Sequence, residues 1–365
     1  SDQTEAHFGD SVGTAGDVNG DGYSDVIVGA MFYDNGQADE GRAYVYLGGP
    51  SGLSATTGWT AEGNQESALF GIFVGTAGDV NGDGYSDIIV GAYGYDNGQA
   101  NEGRAYVYLG GPGGISATAE WTAENDQEDT AFGRSVGTAG DVNGDGFSDV
   151  IVGAPWFGNG RAYVYLGGPS GIPASAGWTA ESGQANANFG YSVGTAGDVN
   201  GDGYSDVIVG ADRYSNGQYE EGRAYVYLGG PSGLSTSAVW TAESEQAVAH
   251  FGQSVGTAGD VNGDGYSDVI VGAENYQNGQ IGEGRGYVYL GGPAGLADSA
   301  AWTTEGDQDY AYFGQSVGTA GDVNGDGSSD VIVGAFGYTN GQVGEGRAYV
   351  YLGGPDGLSA NAAWT

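Results

Sequence analysis

Val12-Gly13-Thr14-Ala15-Gly16-Asp17-Val18-Asn19-Gly20-Asp21-Gly22 returns without a single change at Val74, Val136, Val193, Val255 and Val317. Measured on its first aspartate (Asp17, Asp79, Asp141, Asp198, Asp260, Asp322), the steps are 62, 62, 57, 62 and 62 residues. The 365 residues are therefore six copies of one supersecondary unit. A tandem unit of this length marks a solenoid, a propeller or an array, in which no copy buries its apolar face alone.

Outward from that string, one copy reads as four strands. A glycine-rich apolar segment over 8–16 leads into a loop over 17–25, then into the β-branched run 26–30. A polar stretch over 31–41, the run 42–47, a Gly-Gly-Pro-Ser-Gly turn over 48–52 and the run 59–62 complete it. Short β-branched or aromatic runs bounded by Gly, Asp and Pro are strand signals, and no long segment keeps a helical spacing free of glycine clusters. The expected fold is all-β: a six-bladed β-propeller with four antiparallel strands per blade. It is expected as one domain, with blades near 1–62, 63–124, 125–181, 182–243, 244–305 and 306–365. The first and sixth blades would have to meet by noncovalent packing alone.

Composition narrows the partners. There are 47 acidic residues against 8 basic ones, all arginine, for a net charge of −39. A polyanion needs a basic patch to bind it, so nucleic acid and anionic membranes are disfavoured and a cation is favoured. Cysteine is absent, which removes disulfides, thiolate metal sites and a cysteine nucleophile. No apolar run has the length of a membrane span, and the first residues lack the pattern of a signal peptide.

The segment 17–25 has the pattern D-x-N-x-D-G-x-x-D, kept in every copy. Position 1 is Asp17, Asp79, Asp141, Asp198, Asp260 and Asp322. Position 3 is Asn19, Asn81, Asn143, Asn200, Asn262 and Asn324, and position 5 is Asp21, Asp83, Asp145, Asp202, Asp264 and Asp326. Alternate oxygens followed by a glycine suit calcium, which takes six to eight hard oxygen ligands in a flexible cage. The backbone carbonyl of position 7 (Tyr23, Tyr85, Phe147, Tyr204, Tyr266, Ser328) would turn inward. The aspartate at position 9 (Asp25, Asp87, Asp149, Asp206, Asp268, Asp330) would close the cage. An EF-hand is excluded, because position 12 is Val28 in a strand rather than glutamate. Six loops predict about six structural Ca2+ per chain, and nothing in the pattern asks for a catalytic metal.

Phe8-Gly9 ahead of such a loop and Gly29-Ala30 after the next strand resemble the FG-GAP repeat of the integrin α-subunit propeller; Gly153-Ala154-Pro155 spells the second half in full. The resemblance covers all six copies. It implies a calcium-stabilised propeller used for adhesion, ligand binding or sugar recognition, with the same loop residues as ligands. Two departures stand out: integrin-type propellers have seven blades, and these copies are nearly identical.

The leading expectation is a noncatalytic extracellular or cell-surface binding scaffold. Its protein or glycan ligand would meet the polar loops on the face opposite the calcium loops, since loops on a rigid scaffold are where binding resides. The alternative is a calcium-dependent lectin with sugar sites between blades, and behind it a propeller hydrolase. The phased Trp (59, 121, 178, 240, 302, 364) and Phe (8, 70, 132, 189, 251, 313) are expected between blades. Tyr33, Tyr95, Phe157, Tyr214, Tyr276 and Tyr338 are expected to pack over the blade tops, and the phased arginines (Arg42 and its five equivalents) to pair with carboxylates. Trp156 is expected to fill the space of a five-residue deletion, and His7 and His250 to be incidental surface residues.

Overall fold

The computed structural model describes residues 3–365, so the first two residues of the expected first blade lie outside it. Among the described residues every regular element is a strand. β1 (Phe8–Gly16), β2 (Asp25–Ala30), β3 (Arg42–Tyr46) and β4 (Trp59–Glu62) form an antiparallel sheet in sequence order. Four more copies repeat it. The sixth has three strands, with Trp364 bridged to Val350 where the fourth strand stands in the others. The fold is all-β, with six blades of the β-propeller type.

The chain falls into two compact units: one ends at Asp141 and resumes over Asp145–Glu181, the other is Val142–Gly144 with Ser182–Thr365. Within each unit the blades stack by the same rule. The second strand (Asp-Val-Ile-Val-Gly-Ala in most copies) is buried along its whole length in blades 2 to 5, which is why it reads as continuous rather than alternating apolar. In the first unit, Ala15, Val18, Ile27, Ala43 and Val45 of blade 1 pack with Phe70, Val74, Ile88, Val90 and Tyr108 of blade 2. Trp59 Nε1 donates to the Ser116 carbonyl at 2.9 Å, and its ring meets Tyr108 edge-on at 4.8 Å. Trp121, Trp240 and Trp302 make the same pair of contacts with the following blade.

The motif glycines are explained by this stacking. A Cβ on Gly29 would lie 1.9 Å from the carbonyl oxygen of Gly71 in the next blade, and the equivalent pairs Gly91–Gly133 and Gly272–Gly314 are as close, at 2.0 and 1.8 Å. Blades therefore touch backbone to backbone there, and no side chain fits.

The aromatic expectations hold with exceptions at the ends. Phe70, Phe132, Phe189, Phe251 and Phe313 are fully buried, whereas Phe8 is 41% exposed and Trp364 61%. Val12 in blade 1 and Val323 and Ile332 in blade 6 are likewise exposed where most of their counterparts are buried. Trp156 fills no interior space. It is half exposed and stands edge-on to Tyr93 at 5.6 Å, because the shortened loop leaves it on the surface.

Candidate metal centres

Each first strand ends in a one-residue bulge: Thr14 faces Val26 and Gly16 faces Asp25, leaving Ala15 unpaired, with Gly16 at φ +74°. The bulge releases the chain into the loop, whose oxygens organise its own backbone. Gly20 N–H and Gly22 N–H donate to Asp17 Oδ1 and Oδ2 at 2.7 and 2.8 Å, Asp21 N–H donates to Asn19 Oδ1 at 3.0 Å, and Tyr23 N–H to Asp21 Oδ1 at 3.0 Å. The bonds recur at Asp79, Asp198 and Asp322. The third loop has them at Gly146 to Asp141 and Phe147 to Asp145. Amides from Gly327, outweighing partial desolvation and joined by those of Gly325 and Asp326, hold the Asp322 carboxyl below its ordinary range.

The closing aspartate is placed differently from its neighbours. Asp25 is fully buried; its Oδ2 accepts from Val18 N–H at 2.9 Å and its Oδ1 from Gly48 N–H at 2.7 Å. Asp87, Asp206, Asp268 and Asp330 repeat both bonds, and Asp149 accepts from Gly167. Position 9 thus ties the start of the loop to the hairpin between the third and fourth strands. Burial, with Asp83 and Asp79 adding to it against the two amide bonds, pushes the Asp87 carboxyl up to about 7; Asp206 and Asp268 rise to about 6 for the same reasons.

These loops fit a hard divalent cation by the chemistry of their donors. Each carries three carboxylates and an amide oxygen within nine residues, and among the described residues no arginine or histidine forms an ion pair with those of copies 1, 2, 4, 5 and 6. A divalent ion would offset the negative charge that these carboxylates carry when ionised.

The loops are also joined across blades within each unit. Ser86 N–H donates to the Asp17 carbonyl at 3.0 Å, Ser148 to Asp79 at 2.9 Å, Ser267 to Asp198 at 2.9 Å and Ser329 to Asp260 at 2.7 Å. The position 7 side chain lies over the preceding loop's glycine: Tyr85 on Gly20, Phe147 on Gly82, Tyr204 on Gly144 and Tyr266 on Gly201. The smaller Ser328 reaches Gly263 less closely. The sequence reading gave position 7 only a carbonyl role and missed this contact, which the aromatic at five of six copies signals.

At the opposite end of the blades, Arg42 pairs with Glu62, and its equivalents Arg104, Arg161, Arg223 and Arg285 pair with Glu124, Glu181, Glu243 and Glu305. These guanidiniums also lie over the phased aromatic, Arg104 and Arg285 at 3.9 Å from the Tyr95 and Tyr276 centroids and Arg161 and Arg223 at 4.0 Å from those of Phe157 and Tyr214, and Arg347 lies 4.0 Å from that of Tyr338. That ring face is already occupied, which removes it as a sugar platform. His7 is exposed beside Asp10, as expected of a surface residue. His250 is not incidental: it is largely buried, bonded to Asn275 at 3.0 Å and 3.7 Å from both Glu220 and Glu274.

Among the described residues no helix is long and apolar enough to cross a membrane. The chain is 32% identical to integrin alpha-5 of Xenopus laevis over 248 residues, covering 66% of this chain and 23% of that protein. It is 35% identical to integrin alpha-PS2 of Drosophila melanogaster over 61% of this chain and 16% of that one. It therefore spans less than a quarter of these relatives. Among solved structures it resembles BBS1N, determined in complex with ARL6DN, at a TM-score of 0.53 and 12% identity over 98% of this chain and 82% of that one, a likeness of fold alone. The FG-GAP repeat model matches residues 8–46, 70–108, 132–165, 189–227, 251–290 and 313–351. With the motif present in every copy and its glycines at the blade contacts, the chain belongs to the FG-GAP repeat family.

Proposed function

We propose that this protein is a noncatalytic, calcium-stabilised binding scaffold that works outside the cell, with one Ca2+ in each repeated loop. Asp17, Asn19, Asp21, the Tyr23 carbonyl and Asp25, with their equivalents in every copy, are the ligands of this proposal. The observation that carries it is the loop itself: three carboxylates and an amide oxygen within nine residues, with the Asp17, Asp79, Asp198 and Asp260 carbonyls each bonded to the next loop of the same unit. An ion there would hold blade to blade as well as loop to strand. At ~1 mM calcium and a dissociation constant of ~0.1 mM, each ion stabilises by about 1.4 kcal/mol. Such affinity is useful where calcium is abundant, which favours an extracellular or surface location.

The partner is proposed to be a protein. Tyr219, Ile281 and Val343 occupy equivalent places in the polar loops of the second unit and are 67%, 53% and 96% exposed. Their counterparts in blades 1 and 2 are Ala38 and Ala100. Large apolar side chains grouped on loops at one end of rigid blades suit a protein surface. The adhesive role that the resemblance to integrin propellers implies is proposed for this chain with it.

The test is thermal unfolding across a calcium titration, with bound calcium counted by equilibrium dialysis. About six ions in the loops and a large rise in melting temperature support the reading. No binding and no shift would reduce the loops to turns, and turnover of esters or glycosides would overturn the noncatalytic assignment.

A further inference from the structure

Far from the loops, Glu283, Glu305 and Asp307 each place a carboxylate oxygen within 4.8 Å of the other two. Glu305 is the end of the fourth strand of blade 5, and Glu283 ends the polar loop ahead of its third strand. Glu283 is fully buried. Its Oε1 accepts from Asn278 N–H, while its Oε2 has neither a hydrogen-bond partner nor contact with solvent. A buried carboxylate oxygen left without a donor is costly, and the cost is removed by a proton or by a cation.

The surroundings favour the cation. Glu305 takes the Arg285 guanidinium on Oε1 and Asn278 Nδ2 on Oε2 at 3.0 Å. One guanidinium against three carboxylates leaves two negative charges. Calcium holds oxygens at 2.3–2.6 Å, so three oxygens sharing one ion stand no further apart than about twice that, and the three here lie within 4.8 Å of one another.

The copies themselves act as controls. The position of Asp307 is Asn64 in blade 1 and Asp126 in blade 2, and all three stand in the same left-handed backbone, at φ 51, 53 and 53°. Where it is aspartate, the buried glutamate has an unpartnered Oε2, Glu283 in one case and Glu102 in the other. Where it is Asn64, the buried Glu40 has no such orphan, and Asn64 Nδ2 instead donates to the Glu62 carbonyl at 3.0 Å.

We infer that Glu283, Glu305 and Asp307 form a second class of divalent-cation site, at the opposite end of the blade from the D-x-N-x-D-G loop. It is independent of the loop sites.

The test uses calcium alone on the whole chain. Asp307→Asn recreates the Asn64 arrangement, which this chain already folds, and is expected to remove about one ion per chain from the dialysis count. Asn64→Asp is expected to add about one. Asp264→Asn in the loop of the same blade should remove a different ion, additively with Asp307→Asn, so failure of one class is distinguishable from failure of the other. Crystals soaked in terbium should show an anomalous peak between Glu283, Glu305 and Asp307. Circular dichroism and melting in chelator verify that each variant is folded. An unchanged count in both Asp307→Asn and Asn64→Asp, with no anomalous peak, overturns the assignment.

Discussion

The ring of Tyr85 lies against Gly20 of the preceding repeat, so close that a Cβ on Gly20 would stand 2.6 Å from Tyr85 Cε1. Gly20 also has φ +74°, a conformation that an L side chain adopts at a cost of about 1–2 kcal/mol. Gly22 in the same loop has φ +87° and nothing within 4 Å of its Cβ position. Gly22→Ala should therefore cost about 1–2 kcal/mol from backbone strain alone, and Gly20→Ala about 2–4 once the ring is displaced as well. Chemical denaturation in chelator, which removes any effect on metal, measures the difference; equal losses would mean that the ring yields freely.

Substituting Asp83 tests the proposed metal role apart from folding. Its Oδ1 accepts from Tyr85 N–H at 3.1 Å and its Oδ2 from Asn81 Nδ2 at 3.0 Å, and an asparagine keeps the first of these. In chelator, Asp83→Asn should change stability by less than about 0.5 kcal/mol. In ~1 mM calcium it should lose about 1.4 kcal/mol, the linkage contribution of one site. A loss of the same size in both conditions would place the role of Asp83 in the fold rather than in the metal.

Arg104 binds Glu124 and lies over Tyr95, mostly shielded from water. Arg104→Met should destabilise by about 2–3 kcal/mol, since a charged hydrogen bond and a cation–π contact are lost together. Arg104→Lys should recover less than half of that, because an ammonium cannot lie flat on the ring while donating to Glu124. Urea melts of the three proteins decide it, and full rescue by lysine would show that charge alone matters.

His250 should make stability depend on pH. Burial opposes its protonation, but Glu274, Asp212 and Glu220 more than compensate and raise its pKa above the ordinary 6.5. A folded value above the unfolded one means that its contribution is full below about pH 6.5 and is lost as pH rises through the folded value. Asp212 works in the same direction: burial, against the bond from Asn188 and the charges of His250 and Arg213, raises its carboxyl to about 6, so its ionisation lowers stability between about pH 4 and 6. Melting temperatures of wild type and His250→Gln should differ most near pH 6 and converge by about pH 9. A constant gap would assign His250 a packing role.

The repeat, the strands and the donor pattern of the loop were determined by the sequence alone, and for a physical reason. The alternation of β-branched runs with Gly and Asp is local, and six copies in register distinguish a required residue from a tolerated one. Phe70 and Trp59 were placed between blades from phase alone, because large apolar side chains at one position of every repeat have only the neighbouring blade to bury them.

Relations across sequence distance were decided by tertiary structure. That both oxygens of Asp25 would take backbone amides depended on Gly48, brought beside it by strand pairing 23 residues away. His250 became a buried group only because Glu220 and Glu274 meet around it, and Trp156 reached the surface because a shortened loop left no room beneath it. Glu283, Glu305 and Asp307 read separately as solvated acids. Their convergence follows from the fold bringing a loop and a strand end together, and burial of one carboxylate turns three ordinary charges into a site.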